Sequence, residues 1–226
     1  MHKKTAIGNE LIDILTHSLI IKDGIGKGVT IRIKNIAGVD IGKAVLSVSF
    51  YDINGNIIDE IKTSLDGVKP TKYYYAEGLD GLSTECSVSF HVEALNFAGG
   101  ENVHKCEQRA LLGLEKINFE TLLSYDPDII IAQNIMTYNS IMKNPLWQHL
   151  RAVKEKNVHI VPNNPFNWID RPPSFMRIIG IQWLSKLFHP NEYDANIHER
   201  VKEFYKLFLN VEINDAQVKQ LLGEKN

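Results

Sequence analysis

The run Ile129-Ile130-Ile131-Ala132 constrains this chain more than any other stretch. It is preceded by Asp126-Pro127-Asp128 and followed by Gln133-Asn134. Apolar residues without alternation, at strand length and between breakers, predict a strand buried on both faces, the environment of a parallel strand under helices. Tyr73-Tyr74-Tyr75 and Asn157–Pro162 read as further strands. Between and after them come helical segments. One runs over Ser87–Phe97, with Val88, His91, Val92 and Leu95 on one face and Gly99-Gly100 as its stop. Others are expected over 119–124, from the loop 133–137 through Trp147, over 175–187, over 197–209 and in a short tail from Asn214. Strands alternating with helices predict a mostly parallel sheet wrapped by helices. Trp147, Trp183, Phe204 and Phe208 are read as core.

Residues 1–70 have a different texture. Leu11–Leu15, Leu19–Ile21, Val29–Lys34, Val45–Tyr51 and Ile57–Ile61 read as short strands. Asn54-Gly55 is a hairpin signal between the last two. Gly24-x-Gly26-x-Gly28 opens no helix and reads as a turn, not a phosphate loop. The chain therefore divides into a β-rich segment, 1–70, and an α/β lobe, 71–226.

Several function classes find no support. A formal net charge of −2 lacks the basic footprint of a nucleic-acid binder. No apolar run reaches the roughly 18 residues of a membrane helix. Met1-His2-Lys3-Lys4 leads into no apolar signal-peptide core, which leaves location open. There is no G-x-S-x-G, P-loop, H-E-x-x-H or paired C-x-x-C, and the eight histidines lack metal-ligand spacing. The expectation is a protein that is not an enzyme. Cys86 and Cys106 allow at most one internal bridge, which would suit an oxidising compartment. Two unrelated thiols is the other reading, and the sequence does not choose.

One order of segments carries a resemblance. Tyr73–Thr84 forms a strand and a Gly-containing loop. A helix and Ala98-Gly99-Gly100-Glu101-Asn102-Val103 follow. Then come Phe119–Ile131, Pro145-Leu146-Trp147, Ala152–Val158 and finally Phe166-Asn167-Trp168-Ile169-Asp170-Arg171-Pro172-Pro173-Ser174. Over roughly 70–210 this resembles the C-terminal lobe of periplasmic iron–siderophore, haem and cobalamin binding proteins of ABC importers. Val48-Ser49-Phe50-Tyr51-Asp52 weakly resembles a β-sandwich module of F-x-L-Y-D type. The fold the resemblance implies is a single Rossmann-like lobe of a class III periplasmic binding protein, preceded by a small sandwich-like segment. In that family the ligand is held between two lobes, and the roughly 70 residues ahead of this lobe do not read as the first one.

The resemblance also implies a site. Arg171, in a loop stiffened by Pro172 and Pro173, would donate to the oxygens of an anionic iron chelate. Its other reading is an ion pair with Asp170 or another carboxylate of the lobe. Trp168 and Phe166 would form an aromatic wall, or else pack the loop onto the lobe. Tyr138, just past a buried strand, would face the ligand crevice, or be a surface tyrosine. Glu77 and Thr84, with Ser83 and Glu85, lie in the first strand-to-helix loop, and Ser87 is the better N-cap for the helix beyond. His91 reads as a satisfied helix residue, and Lys72 and Arg177 have no role. No metal ligand or cofactor is assigned. The implied function is non-covalent binding of a ferric siderophore, haem or cobalamin for delivery to an ABC permease outside the cytoplasm. A second copy would supply the missing half of the cleft. The alternative is an extracytoplasmic interaction or scaffold module that has lost the cleft.

Overall fold

A computed structural model describes residues 12–22, 25–35, 56–107 and 113–224. The chain divides into two units, one of residues 1–60 with 204–212, the other of 61–203 with 213–226.

In the first unit, strands β1 (Ile12–Lys22) and β2 (Ile25–Asn35) pair antiparallel, with register shifts between Ile14 and Thr16 and between Ile20 and Ile21. The two apolar runs expected as separate strands before Lys22 thus belong to one strand. Gly26 and Gly28 lie within β2, opposite Ile21 and Ile20, and are not the expected turn. The Val45–Tyr51 strand, the Asn54-Gly55 hairpin and the sandwich-like Val48–Asp52 motif fall outside the described residues. Ile57–Ile61, expected as a strand, lies in helix α1 (Asn56–Ser64). Asp59 in its first turn and Lys62 in its last suit the helix dipole. Five residues span too little of either period to choose between helix and strand.

The second unit holds the α/β lobe. In chain order it comprises β3 (Thr71–Ala76), β4 (Ser83–Thr84), a 3₁₀ turn Phe90–Val92, α2 (Glu93–Phe97), β5 (Gly100–Asn102), β6 (Glu115–Lys116), α3 (Phe119–Tyr125), β7 (Ile129–Ala132), α4 (Ile135–Lys143), a 3₁₀ turn Pro145–His149, α5 (Arg151–Lys154), β8 (Val158–Ile160), α6 (Arg177–Phe188), α7 (Ile197–Phe204) and α8 (Asp215–Leu222). The main sheet has the order β5-β3-β7-β8, and all three pairings are parallel. All four residues of β7 are buried, as their unbroken apolar run requires. Alternation sends Tyr74, Ala76, Ile130 and Ala132 to one face, against Leu122, Ile141, Trp147 and Val153. On the other face Tyr73 stacks on Phe188 of α6 at 5.8 Å and donates to Asn96 at 2.6 Å. Among the described residues no helix is long and apolar enough to cross a membrane.

The helix expected over Ser87–Phe97 is shorter. Ser89, not Ser87 or Thr84, is the cap, its hydroxyl accepting from the His91 amide at 3.2 Å. Residues 86–89 are held elsewhere: Cys86 is bridged to Cys106, and the Ser87 amide donates to the His104 carbonyl at 3.0 Å. Val88 is consequently exposed. The helix expected through Trp147 ends at Lys143, because Pro145 starts a 3₁₀ turn capped by Asn144. The expected helix over 197–209 becomes a π turn at Tyr205–Leu209, where Phe208 is half-exposed, not core. Trp147, Trp183 and Phe204 are buried. A capping box at Asn214 and Gln217 starts α8.

Candidate functional site: an arginine held among carboxylates

The loops leaving the C-terminal ends of β3, β7 and β8 are tied to one another. The loop 77–83 closes on itself through Glu77 N–H to Ser83 O at 2.8 Å and Ser83 N–H to Glu77 O at 3.2 Å. Thr137, at the start of α4, donates its hydroxyl to the Gly78 carbonyl at 2.8 Å. Gln133, just past β7, donates to Glu77 Oε1 at 3.0 Å, and Asn167 donates to the Gln133 carbonyl at 3.1 Å. Asn167 also accepts from the amides of Ile169 and Asp170, an Asx turn that sets up the next residue. That residue is Arg171, in the left-handed region with φ 58°.

Arg171 reaches back to the first loop. Its Nε donates to Glu77 Oε1 at 2.7 Å and its Nη2 to Glu85 Oε1 at 2.5 Å, with Asp170 Oδ2 at 3.6 Å. All three carboxylates are buried, while the Arg171 side chain keeps 26% of its surface exposed. Glu85 also accepts from the Ser89 hydroxyl at 2.8 Å and the Leu114 amide at 3.1 Å. Asp170 accepts from Arg177 at 3.5 Å, and its other oxygen lies 2.6 Å from His91 Nδ1. Burial pushes the Glu77 carboxyl up to about 8, outweighing Arg171 beside it. Its Oε2 has no hydrogen-bond partner, which suits a carboxyl that holds a proton.

The structure thus gives Arg171 the second of its two expected readings. It is an ion-pairing cation with one exposed edge, not a free guanidinium. Glu77 is buried within the pair. Thr84 is buried in β4. Trp168 is fully buried, its indole N–H donating to the Asn164 carbonyl at 3.2 Å, so it packs the loop onto the lobe. Phe166 is exposed, with its ring edge-on to Phe175 at 6.5 Å, and remains available. Tyr138 packs partly against the core and lines a recess of about 310 Å³ with His159, Trp183 and Gln220, whose lining does not include Arg171. Glu85, Asp170, His91, Arg177 and Gln133 complete the network that the sequence reading did not assemble. The Asn167-x-x-Asp170 spacing of the Asx turn was the one local signal for it.

Leu79, Phe90, Ile135, Met136 and Phe166 are exposed on the same set of loops and helix starts. The arrangement presents a guanidinium edge, neutralised from below, with apolar side chains on the loops around it. Nothing in it supplies an activated nucleophile.

The periplasmic binding protein family model matches residues 55–165. The molybdate-binding protein MolA of Haemophilus influenzae is 21% identical over 189 residues, which is 82% of this chain and 52% of that protein. The high-affinity heme uptake system protein IsdE of Staphylococcus aureus is 31% identical over 86 residues, 34% of this chain and 28% of that protein. Among solved structures, an ABC transporter solute binding protein from Sulfurospirillum deleyianum superposes with a TM-score of 0.72 at 44% identity, covering 76% of this chain and 55% of that one. The chain spans about half the length of MolA and of the Sulfurospirillum protein. The match over residues 55–165, the parallel sheet and the covering helices make this lobe similar to the periplasmic binding proteins.

Proposed function

We propose that the lobe is one wall of the solute cleft in the binding protein of an ABC importer, working outside the cytoplasm and delivering its ligand to a membrane permease. The observation that carries this is the site of Arg171. It lies beyond the C-terminal ends of parallel strands, where α/β sheets receive ligands, and apolar residues are exposed on the same loops. No bond is made or broken, so affinity, closure and docking are the mechanism.

The ligand that fits this wall is a large metal chelate, of the ferric siderophore class, with haem and cobalamin as the nearest variants. Glu85, at 2.5 Å, already matches much of the charge on Arg171. A small, multiply charged oxyanion would find little net field there. A chelate with a broad apolar surface and a few peripheral oxygens would use both the exposed guanidinium edge and residues such as Phe166. A second molecule, in a homodimer, or a further part of the protein would face it across the cleft.

The test is equilibrium dialysis of the purified chain against a ferric catecholate, a ferric hydroxamate, haem, cobalamin and molybdate, with sizing of the complex. Saturable uptake of one chelate, weakened in Phe166→Ala, is the expected result. No uptake up to about millimolar, where binding is worth about 4 kcal/mol, would reject it. The alternative, an interaction module, has one observation in its favour, since the arginine is satisfied within its own lobe.

A further inference from the structure

Cys86, His104 and Cys106 stand together, with Cys86 directly after Glu85 of the network around Arg171. Their candidate ligand atoms, two sulfurs and a ring nitrogen, lie within 4.8 Å of one another. The sulfurs are joined in a disulfide with the Cα atoms 5.1 Å apart. Joined sulfurs are poor ligands, because the thiolate is the form that binds metal. The bridged state is therefore a covalent staple, and its reduced state is a different chemical object.

We propose that in the dithiol state Cys86, Cys106 and His104 form a binding site for a single thiophilic divalent cation of the zinc class, with water as the fourth ligand. Two thiolates and an imidazole are a donor set zinc favours and magnesium or calcium do not. Thiolates at about 2.3 Å from a tetrahedral ion sit about 3.8 Å apart. The bridge can therefore open to that spacing by side-chain rotation, without backbone travel.

Hydrogen bonds independent of the bridge hold the segments that carry Cys86 and His104 in place. The Ser87 amide donates to the His104 carbonyl at 3.0 Å, and the Asn102 side-chain amide to the Glu85 carbonyl at 3.0 Å. The His104 amide donates to Asn102 Oδ1 at 2.9 Å. The segments that carry Cys86 and His104 are thus pinned together whether or not the sulfurs are bonded. The Tyr125 hydroxyl lies 3.0 Å from His104 Nδ1, fixing the ring from outside the triad, as second-shell partners of metal-bound histidines do. Cys86 is buried, while His104 and Cys106 are partly exposed. An ion has a path in, and water has a place to stand.

The chemistry balances with a phosphine reductant. The phosphine gives two electrons to the sulfur–sulfur bond, water places its oxygen on phosphorus, and its two protons go to the two sulfurs. The cation then displaces both thiol protons to solvent. Bridge and cation exclude each other, so the chain holds a staple when oxidised and an ion when reduced.

The experiment reduces the full chain with a trialkylphosphine under argon, removes the reductant, and titrates it with cobalt(II) as a spectroscopic stand-in for zinc. Expected are thiolate-to-cobalt charge-transfer absorption that saturates at one ion per chain, its loss on adding zinc but not magnesium, and no such band in the oxidised chain. His104→Ala should weaken the apparent affinity by at least about tenfold. Absence of the band in the reduced chain would overturn the proposal, as would a His104→Ala titration that matches wild type. Circular dichroism accompanies the titration. If reduction alone unfolds the chain, the cation should restore the native spectrum, and failure to do so would also overturn it.

Discussion

Arg171 and Glu77 meet at 2.7 Å across a sequence separation of 94 residues, and this pair closes the loop after β8 onto the loop after β3. Glu85 is tied to the same guanidinium at 2.5 Å, across a sequence separation of 86. Both glutamates are buried and depend on one cation. Arg171→Met should destabilise the lobe by about 3–5 kcal/mol, the usual cost of leaving buried charge without its partner. Arg171→Lys should recover only part of this, because an ammonium cannot span two carboxylates as a planar fork does. Urea denaturation of the three proteins measures it, and equal midpoints for all of them would remove the pair from the account of stability.

The raised Glu77 carboxyl makes stability depend on pH. In the folded chain it titrates at about 8 against an ordinary value of 4.5. Between those values the folded state holds a proton that the unfolded state has released. This contribution to stability is fully present below the unfolded value and is lost as pH rises through the folded one. The fall across the window should be on the order of a few kcal/mol. Glu77→Gln keeps an acceptor for Arg171 and Gln133 but cannot titrate, so its profile should be flatter between those two values. Denaturation midpoints for both proteins across the window decide the matter, and parallel profiles would exclude Glu77 as the source.

Trp168 and Phe166 sit two residues apart and should separate cleanly. Trp168 is fully buried and hydrogen-bonded, so Trp168→Ala should cost about 3–5 kcal/mol of stability, as truncation of a core aromatic does. Phe166 is 48% exposed, and Phe166→Ala should leave stability within about 0.5–1 kcal/mol while weakening chelate binding. Thermal melts paired with equilibrium dialysis test both. A Phe166→Ala protein that binds as wild type would place the ligand elsewhere.

What the sequence disclosed follows from how local each signal was. Ile129–Ala132 was legible because burial on both faces of a parallel strand removes alternation and leaves an unbroken apolar run. The helix over Ser87–Phe97 was overestimated because its first turn is claimed by a disulfide and by a backbone bond to His104, neither of which leaves a mark on periodicity. Arg171 was found through its position in the Phe166–Ser174 segment. Asp170 was named as a partner, but Glu77 was not singled out, because an ion pair between residues 94 apart obeys no spacing rule. The aromatic at Trp168 was divided evenly between ligand and core, since indole serves both. Its burial and its bond to the Asn164 carbonyl show the packing that the sequence left open.

Gly180 shows the same dependence of the site on a distant contact. It lies inside α6, where alanine would be the better helix former by about 0.8–1.0 kcal/mol. A Cβ there, however, would stand 2.1 Å from the Trp168 carbonyl oxygen and 2.9 Å from its carbonyl carbon. Those are backbone atoms three residues before Arg171, so they cannot rotate aside as a side-chain tip would. Overpacking of this kind costs about 1–3 kcal/mol or more, which exceeds the propensity gain. Gly180→Ala should therefore destabilise the lobe on balance. Relief by movement of the Trp168 backbone would draw Arg171 off Glu77 and Glu85, so chelate affinity should fall as well. Denaturation midpoint and equilibrium dialysis on the single variant test both parts. A midpoint at or above wild type would mean that helix and loop separate at little cost and that the loop carrying Arg171 is not set by its seat on α6.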